Sequence, residues 1–227
     1  MKKPFVIAVE GADKAGKHTQ TMKICEYLTS LGIPNETLDF PQYKSFFGKV
    51  VKDYLNGNFG GVQDIPAEYK MLPYALDRLQ HQSMIKKWLD EGKCVVFDRY
   101  TYSNSFSVAQ NPEHLWDSKI KYMEELEFDQ LNLIKPDHNF YLYLDPKIAF
   151  AMKDQGQKEY QNGKADIHER NYDLLYNVSK VYKRIATNNP KEWDVIDEMR
   201  PDGTRMNIDD VFEVLRKRID ILIQKQY

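Results

Sequence analysis

The residues with the clearest chemical potential form a glycine-rich segment directly after the apolar run Phe5-Val6-Ile7-Ala8-Val9. In order, the segment contains Gly11, Ala12, Asp13, Lys14, Ala15, Gly16, Lys17, His18 and Thr19. Gly11, Gly16 and Lys17 have the spacing of a P-loop, in which backbone N–H groups cradle phosphates and the lysine contacts the outer ones. A helical pattern follows, so the loop would open a helix whose N-terminus attracts phosphate. The alternative is an ordinary glycine turn between a strand and a helix.

A second group of polar residues follows another apolar run, Cys94-Val95-Val96-Phe97. Asp98 and Arg99 come first, and Ser103 and Asn104 follow shortly after them. The carboxylate could hold Mg²⁺, directly or through water, and the guanidinium could bind a phosphate through two hydrogen bonds. The alternative is a structural ion pair that caps the strand.

A third candidate lies in the longest helical pattern of the chain. Tyr74 and Arg78 are four residues apart, so they share one face of a helix. An aromatic ring beside a guanidinium could stack on a nucleobase and hydrogen-bond its edge. The alternative is a core tyrosine beside an exposed arginine, and the spacing alone does not separate the two.

The elements that must position these residues alternate between strands and helices. Short apolar runs predict strands near residues 5–9, 37–40, 94–97, 140–144 and 193–196, and helical stripes separate them, the longest over about residues 67–91. This alternation predicts an α/β fold with a five-stranded parallel sheet and helices on both faces. Ligands of such sheets bind beyond the carboxyl ends of the strands, which is where the first two groups lie.

Composition narrows the class of protein further. The chain has 227 residues and a formal net charge of −2, so its overall charge does not favour nucleic acid as a partner. It has no linker-like stretch, which predicts one domain over residues 1–227. A signal-peptide core and an apolar stretch of membrane-spanning length are both missing from the sequence, so we expect no membrane partner. Cys25 and Cys94 lie in apolar segments and are expected to be buried, reduced thiols of a cytoplasmic protein.

Taken together, these motifs resemble the thymidylate kinase family of P-loop nucleoside-monophosphate kinases. The resemblance spans nearly the whole chain, because its landmarks occur in order along it. They are Asp13 in the loop, Phe40-Pro41, the segment from Tyr74 to Arg78, Asp98-Arg99-Tyr100 with Ser103-Asn104, and Tyr143-Leu144-Asp145.

The resemblance implies a Mg²⁺-dependent enzyme that transfers the γ-phosphoryl group of ATP to dTMP and so forms dTDP. It implies that residues 11–19 bind ATP, that Lys17 and Arg99 are catalytic, and that Asp98 is the catalytic partner of the metal, either directly or through water. It also implies a dTMP site. That site would comprise Asp13 on the 3′-hydroxyl, Tyr74 stacked on thymine, Arg78 on its O4 edge, Arg99 on the phosphate, and Ser103 and Asn104 beside the pyrimidine.

The implied reaction needs no general base. A phosphate monoester has a second pKa of about 6, so the acceptor is largely a dianion at neutral pH. Catalysis would then come from alignment of the two nucleotides and from neutralisation of charge on the transferring group.

Several positions depart from the family's pattern near the phosphates. His18 stands where Ser or Thr normally supplies a hydroxyl to Mg²⁺, and we expect it to point away, because imidazole is not a ligand that this ion favours. Lys14 stands where some members carry a catalytic arginine. Lys44 stands near the position of an arginine that meets the acceptor phosphate in many relatives, and it is a candidate substitute within the dTMP site.

The resemblance also implies a lid over about residues 150–168, which in this chain has no arginine. It contains Lys153, Lys158 and Lys164. We hypothesise that Lys14 and one lid lysine share the role of the catalytic arginine, although a lysine lacks the planar fork of a guanidinium.

Two further positions near the acceptor site leave questions open. Ser107 stands where relatives often carry an aromatic residue that excludes the ribose 2′-hydroxyl, so discrimination between deoxy and ribo acceptors is undetermined. At the end of the lid, Asp166 and Glu169 could form a capping box, and we favour this structural role over metal binding for the adjacent His168.

Alternative functions follow from the same features. A kinase for another pyrimidine (deoxy)nucleotide or nucleoside fits, because side-chain types do not exclude dUMP or dCMP. His18 and the arginine-poor lid suggest a nucleotide-binding protein with weakened catalysis. The balanced charge disfavours a nucleic-acid-dependent ATPase. The resemblance further implies a homodimer.

Overall fold

The centre of the protein is a parallel sheet. In the computed structural model, which describes residues 3–61, 64–152, 168 and 171–226, its strands run in the order β2-β3-β1-β4-β5. The strands are β1 (Val6–Gly11), β2 (Asn35–Asp39), β3 (Cys94–Asp98), β4 (His138–Tyr143) and β5 (Trp193–Asp197). The predicted five-stranded parallel sheet is therefore confirmed.

Helices connect successive strands, as a parallel sheet requires. They are α1 (Lys17–Ser30), α2 (Phe46–Leu55), α3 (Ala67–Asp90), α4 (Ser105–Val108), α5 (Trp116–Glu124), α6 (Pro146–Ala151), α7 (Tyr172–Asn188) and α8 (Ile208–Gln226). Short 3₁₀ turns occupy Thr101–Asn104 and Glu113–Leu115, and a π-helical turn follows α5 over Glu125–Gln130. The short α4 and α6 have too few residues to produce a helical stripe in the sequence, and no helix was predicted there.

The alternation of side chains along β1 directs apolar groups to both faces of the sheet. On one face, Ile7 and Val9 pack in a cluster with Leu28 of α1 and Leu215 of α8. On the other, Val6 and Ala8 pack with β3 and α3, and a third cluster joins β4 and β5 to α7. Full burial of one leucine contributes about 2 kcal/mol to the free energy of folding. Burial of apolar side chains therefore holds the helices of each cluster to the sheet.

The strand order creates a crevice at one edge of the sheet. β1 lies between β3 and β4, so the chain leaves β1 toward one side of the sheet and later crosses to the other. Val9 is in register with Asp98, and Asp98 is in register with Asp39. The segments that follow β1, β2 and β3 therefore lie side by side at the carboxyl edge, where such folds bind ligands.

A close backbone contact fixes the segment after β2. Gln42 N donates to Asp77 Oδ2 of α3 at 2.8 Å, and Ser45 caps α2 by accepting a hydrogen bond from Gly48 N at 2.9 Å. Gly48 lies so near that a Cβ placed on it would be 1.8 Å from Gln42 O. Glycine at position 48 thus allows α2 to pack against the loop that carries Phe40 and Pro41.

Three expectations concern other parts of the chain. Residues 153–167, nearly all of the expected lid, lie outside the described residues, and so do Lys153, Lys158, Lys164, Asp166 and Glu169. Cys25 and Cys94 are buried, as expected. Among the described helices, none combines the length and apolar character needed to cross a bilayer.

We expect Gly48→Ala to destabilise the fold by about 3 kcal/mol, because overpacking forces the Gln42 backbone to move. Chemical denaturation measures this change. Gly61→Ala is the matched control, because its Cβ would meet Asp64 Oδ2 at an ordinary 3.4 Å. Equal stability of the Gly48→Ala variant and the wild type would contradict the proposed role of this contact.

Candidate active site

The predicted phosphate loop joins β1 to α1 and has the backbone that such a loop requires. Gly11 and Gly16 adopt φ values of 153° and 70°, and α1 begins directly after Gly16 at Lys17. The Lys17 side chain is buried, donates from Nζ to Ala12 O at 2.7 Å, and lies 3.8 Å from Asp13 Oδ1. The lysine ammonium is therefore held inside the loop, at the N-terminus of a helix, where it adds to a field that favours phosphate.

Arg99 connects the end of β3 to this loop. Its Nη1 donates to Gly11 O at 2.9 Å and its Nη2 donates to Asp13 Oδ1 at 2.6 Å. Its backbone has a φ of 66°, a left-handed conformation that persists in a non-glycine residue only where surrounding contacts hold it. Burial opposes the charge of the guanidinium, but Asp13 and other nearby acids outweigh that effect and raise the pKa of Arg99. Arg99 is thus a fixed cation at the junction of the two predicted motifs.

Glu10, the residue before Gly11, binds the segment that follows Arg99 through hydrogen bonds. It is fully buried and accepts hydrogen bonds from Tyr100 N (2.9 Å), Ser103 Oγ (2.6 Å) and Tyr182 Oη (2.9 Å). Burial raises the pKa of its carboxyl group, while these hydrogen bonds and the Arg99 charge act in the opposite direction. Sequence reasoning missed Glu10. The available signal was a carboxylate at the end of an otherwise apolar run.

Two adjoining chambers open at this edge of the sheet. The charged chamber is lined on its own side by Lys14, Gly16, Lys17, His18, Thr19, Asp39 and Asp98. The aromatic chamber is lined on its own side by residues that include Leu55, Tyr74, Arg78, Ser103, Phe106, His168, Val178 and Tyr182. Asp13, Phe40, Pro41, Tyr43 and Arg99 line both. The chambers therefore meet at Arg99, so a ligand in each would be brought end to end.

Arg78 lies at the wall of the aromatic chamber and is only 1% exposed. Glu127 of the π-helical turn binds it in a bidentate pair, with Nε–Oε2 and Nη2–Oε1 distances of 2.7 and 2.5 Å. Burial opposes the guanidinium charge, but Glu127 overcomes this and raises the pKa of Arg78. The possibility of an exposed arginine is excluded, and the guanidinium has its charge compensated before any ligand arrives. Glu127 is a second site residue that sequence reasoning missed, because nothing in its local pattern points to Arg78.

Tyr74 and Phe106 supply the aromatic wall of the same chamber. Tyr74 is buried, its ring centroid lies 5.2 Å from that of Phe106, and Tyr54 packs edge-on against it at 6.4 Å. The spacing of Tyr74 and Arg78 thus does place both at one chamber, as their predicted role in binding a base requires.

Ser103 lines the aromatic chamber, whereas its neighbour Asn104 does not. Ser103 lines the aromatic chamber and its hydroxyl donates to Glu10. Asn104 is fully buried, and its Nδ2 donates to Glu127 Oε1 at 2.7 Å. Asn104 is not among the described residues that line the chamber. In this conformation it contacts Glu127 and so stabilises the Arg78–Glu127 pair.

Asp98 is one of three carboxylates that line the charged chamber among the described residues, together with Asp13 and Asp39. It lies in the charged chamber opposite the phosphate loop, with 13% of its side chain exposed. No cluster of three or more His, Cys, Asp or Glu side chains with metal-binding geometry occurs within the described part of the chain. Mg²⁺ nevertheless fits these residues, because that ion typically takes one or two protein carboxylates and completes its shell with phosphates and water.

The expectation that His18 points away from this position is wrong. Although 77% of its side chain is exposed, His18 Nδ1 lies 3.4 Å from Asp98 Oδ2. At the start of α1, His18 therefore lies beside the carboxylate at the end of β3, and both residues line the charged chamber.

Lys44 and Ser107 do not face the chambers. Lys44 is exposed and is absent from the described residues that line them, whereas its neighbour Tyr43 lines both. Ser107 is fully buried and its hydroxyl donates to Ala67 O.

His168 closes one side of the aromatic chamber. Its Nε2 lies 2.8 Å from Tyr54 Oη, and its ring centroid lies 4.4 Å from that of Phe106. The following helix α7 is capped by Asn171, whose side chain accepts a hydrogen bond from Leu174 N at 3.0 Å. His168 therefore packs within the aromatic wall of the chamber, while Asp166 and Glu169, the expected capping box, lie outside the described residues.

Comparison with known proteins agrees with this geometry. Residues 9–205 match the family model described as thymidylate kinase. The chain is 34% identical over 160 residues to the thymidylate kinase of Plasmodium falciparum, covering 70% of this chain and 71% of that one. It is 30% identical over 186 residues to the enzyme of Mycobacterium tuberculosis, covering 80% and 86%.

A solved structure of the thymidylate kinase from Candida albicans shares the fold. Its TM-score is 0.72 at 22% sequence identity, and the match covers 97% of this chain and 93% of that one. Because the family model covers most of the chain and the predicted motifs converge on one cleft, this protein belongs to the thymidylate kinase family.

Proposed function

We propose that this protein transfers the γ-phosphoryl group of ATP to dTMP and forms dTDP. The observation that carries the proposal is the shared border of the two chambers at Arg99 and Asp13. One chamber has the backbone amides and lysine that suit a triphosphate, and the other has the aromatic wall that suits a base. Membership of the thymidylate kinase family supports the same reaction.

The donor phosphates would lie against the phosphate loop in the charged chamber. Residues 11–19 offer backbone N–H groups there, and the Lys17 ammonium neutralises charge on the outer phosphates. Arg99 would bind the acceptor phosphate from the opposite side. The phosphate dianion of dTMP would bind the Arg99 guanidinium beside Asp13. The Asp13 carboxylate would then lie close to dTMP, as its proposed hydrogen bond to the 3′-hydroxyl requires.

The reaction requires alignment more than proton transfer. The dianionic acceptor is already a nucleophile, so the protein's task is to hold two anions in line and to compensate their charge. We propose that Asp98 holds Mg²⁺, which when bound supplies positive charge to the donor phosphates. Lys14 lines the charged chamber, and we propose that it shares the role of the catalytic arginine with a lid lysine.

The acceptor base would lie in the aromatic chamber against Tyr74. The Arg78–Glu127 pair presents N–H donors without a net charge, which suits a neutral carbonyl oxygen such as O4 of thymine better than a phosphate. Asn104 would act through this pair. A kinase for another pyrimidine nucleotide remains the second candidate, because a keto oxygen at the same position occurs in dUMP.

We also propose the homodimer and the cytoplasmic location that the family resemblance implies. The low cysteine content supports the cytoplasmic location, since the chain has two cysteines and both are buried. Partly exposed apolar side chains on α3, Leu79 and Met84, support an interface on that helix.

We expect ADP to form from ATP only when dTMP and Mg²⁺ are both present, and we expect Lys17→Met to lower this rate by about 10²–10³-fold, because one cation on the transferring phosphates is lost. A coupled assay with dTMP, dUMP and dCMP as acceptors measures both. Lys23→Met is the control, because Lys23 lies on the same helix but pairs with Asp209. ATP hydrolysis that does not depend on any acceptor would contradict the proposal.

The Mg²⁺ assignment gives a separate prediction. Asp98→Asn should raise the Mg²⁺ concentration for half-maximal activity by about tenfold or more, because an amide is a weaker ligand for this ion. Activity is titrated with Mg²⁺ at saturating nucleotides. Asp39→Asn is the matched comparison, since Asp39 is in register with Asp98 and lines the same chamber. The assignment fails if only the Asp39 variant shifts the titration.

The Arg78–Glu127 pair gives a third prediction. Glu127→Gln should raise the KM for dTMP about tenfold while the KM for ATP stays within about twofold, since Arg78 loses its bidentate partner and its orientation. Steady-state kinetics with each substrate varied in turn measures both constants. Glu124→Gln is the control, because Glu124 precedes the same turn but bonds to Tyr102 instead. An unchanged KM for dTMP in the Glu127 variant would show that the pair does not serve acceptor binding.

A further inference from the structure

The chain makes a short hairpin between β5 and α8, residues 198–206, that the sequence motifs do not include. Met199 and Arg205 pair as an antiparallel bridge, and Met206 N donates to Glu198 O at 2.7 Å. The turn is made by Gly203, with a φ of 81°, and Asp202 Oδ1 accepts hydrogen bonds from both the amide and the hydroxyl of Thr204. Hydrogen bonds within the hairpin therefore define its conformation, and it follows β5, which is an edge strand of the sheet.

This hairpin brings a guanidinium to the phosphate loop. Arg205 Nη2 donates to Lys14 O at 2.6 Å, across 191 positions of sequence. The same side chain binds Glu198, with Nε–Oε2 and Nη2–Oε2 distances of 2.8 and 2.7 Å. Glu198 is 2% exposed, so the carboxylate that orients Arg205 is itself fixed in the protein. A planar guanidinium can make both contacts at once, which the single ammonium of a lysine does less specifically.

The carbonyl that Arg205 holds belongs to a strained part of the loop. Lys14 has a φ of 69°, a left-handed conformation that is costly for a residue with a Cβ. The other polar end of the same peptide unit, Ala15 N, donates to Ala12 O at 3.3 Å. The Lys14–Ala15 peptide is thus held at both ends, and its orientation sets the direction of the loop just before Gly16 and Lys17.

We propose that Arg205, oriented by Glu198, is a positioning residue for the donor nucleotide. Its hydrogen bond to Lys14 O holds the peptide group between Lys14 and Ala15 and keeps Lys14 in its left-handed conformation. The loop therefore has its phosphate-binding conformation before ATP binds. The inference rests on the proposed ATP-dependent reaction. A hollow lined by Arg205, Gly16, Thr19 and Met206 adjoins this contact, which places the hairpin beside any donor that extends from the loop.

The test compares binding of the two substrates. We expect Arg205→Met to weaken ATP binding roughly tenfold, measured by calorimetry without acceptor, and to raise the KM for ATP similarly, while the KM for dTMP stays within about twofold. Arg205→Lys should not restore ATP binding fully, because it cannot reach both Glu198 and Lys14 O with one planar group. Glu198→Gln should change ATP binding in the same direction, and it serves as a second variant should Arg205→Met fail to fold.

Arg200→Met is the matched control for loss of hairpin structure. Arg200 lies in the same hairpin, pairs with Asp210 and donates to Arg205 O, so its removal loosens the hairpin while the Arg205 guanidinium stays present. Unchanged ATP binding in Arg205→Met, or an equal loss in Arg200→Met, would overturn the inference. Because calorimetry needs no turnover, absence of dTMP-dependent activity in the wild type would contradict the proposed function and leave this test valid.

Discussion

The bridge from Arg99 to the phosphate loop is the interaction on which the site depends. One guanidinium bonds both Gly11 O and Asp13 Oδ1, and so ties the end of β3 to the end of β1. The Tyr100 amide and the Ser103 hydroxyl donate to the buried Glu10, which fixes the chain just after the arginine. Two segments far apart in sequence are thereby held as one rigid edge, and the chambers on either side share that edge as a common wall.

Charge in the cleft is largely compensated before a substrate binds. Arg99 pairs with Asp13, Arg78 pairs with Glu127, and Lys17 lies 3.8 Å from Asp13. Pairs of this kind hold the cations in place at little cost in later reorganisation, which is the condition for electrostatic catalysis by a fixed site. The Arg99–Asp13 and Arg78–Glu127 pairs also differ in their exposure to the two chambers. In the proposed function a phosphate displaces Asp13 from Arg99, since Asp13 borders both chambers, whereas Glu127, the partner of Arg78, is fully buried.

The parts of the site that the sequence predicts are those whose signal is local. The phosphate loop, the Asp98–Arg99 pair and the Tyr74–Arg78 face each lie within a few residues, and their place after a strand or on one helix face follows from periodicity. The sheet was predictable for the same reason, since alternating apolar runs determine which segments are strands.

The remaining parts depend on contacts between distant segments. Glu127 lies 49 positions from Arg78, and Arg205 lies 191 positions from Lys14. No local pattern specifies such pairings, because they arise only when helices and hairpins pack around the sheet. Asn104 illustrates the same limit. Its position in a motif predicted contact with the base, but packing against Glu127 places it behind the chamber wall.

The most direct test of the central claim is a crystal structure with dTMP and a non-hydrolysable ATP analogue bound together. We expect the triphosphate on residues 11–19, the thymine against Tyr74, and the two facing phosphates on either side of Arg99. Nucleotides bound in cavities that Arg99 does not border, or phosphate ends directed away from each other, would contradict it.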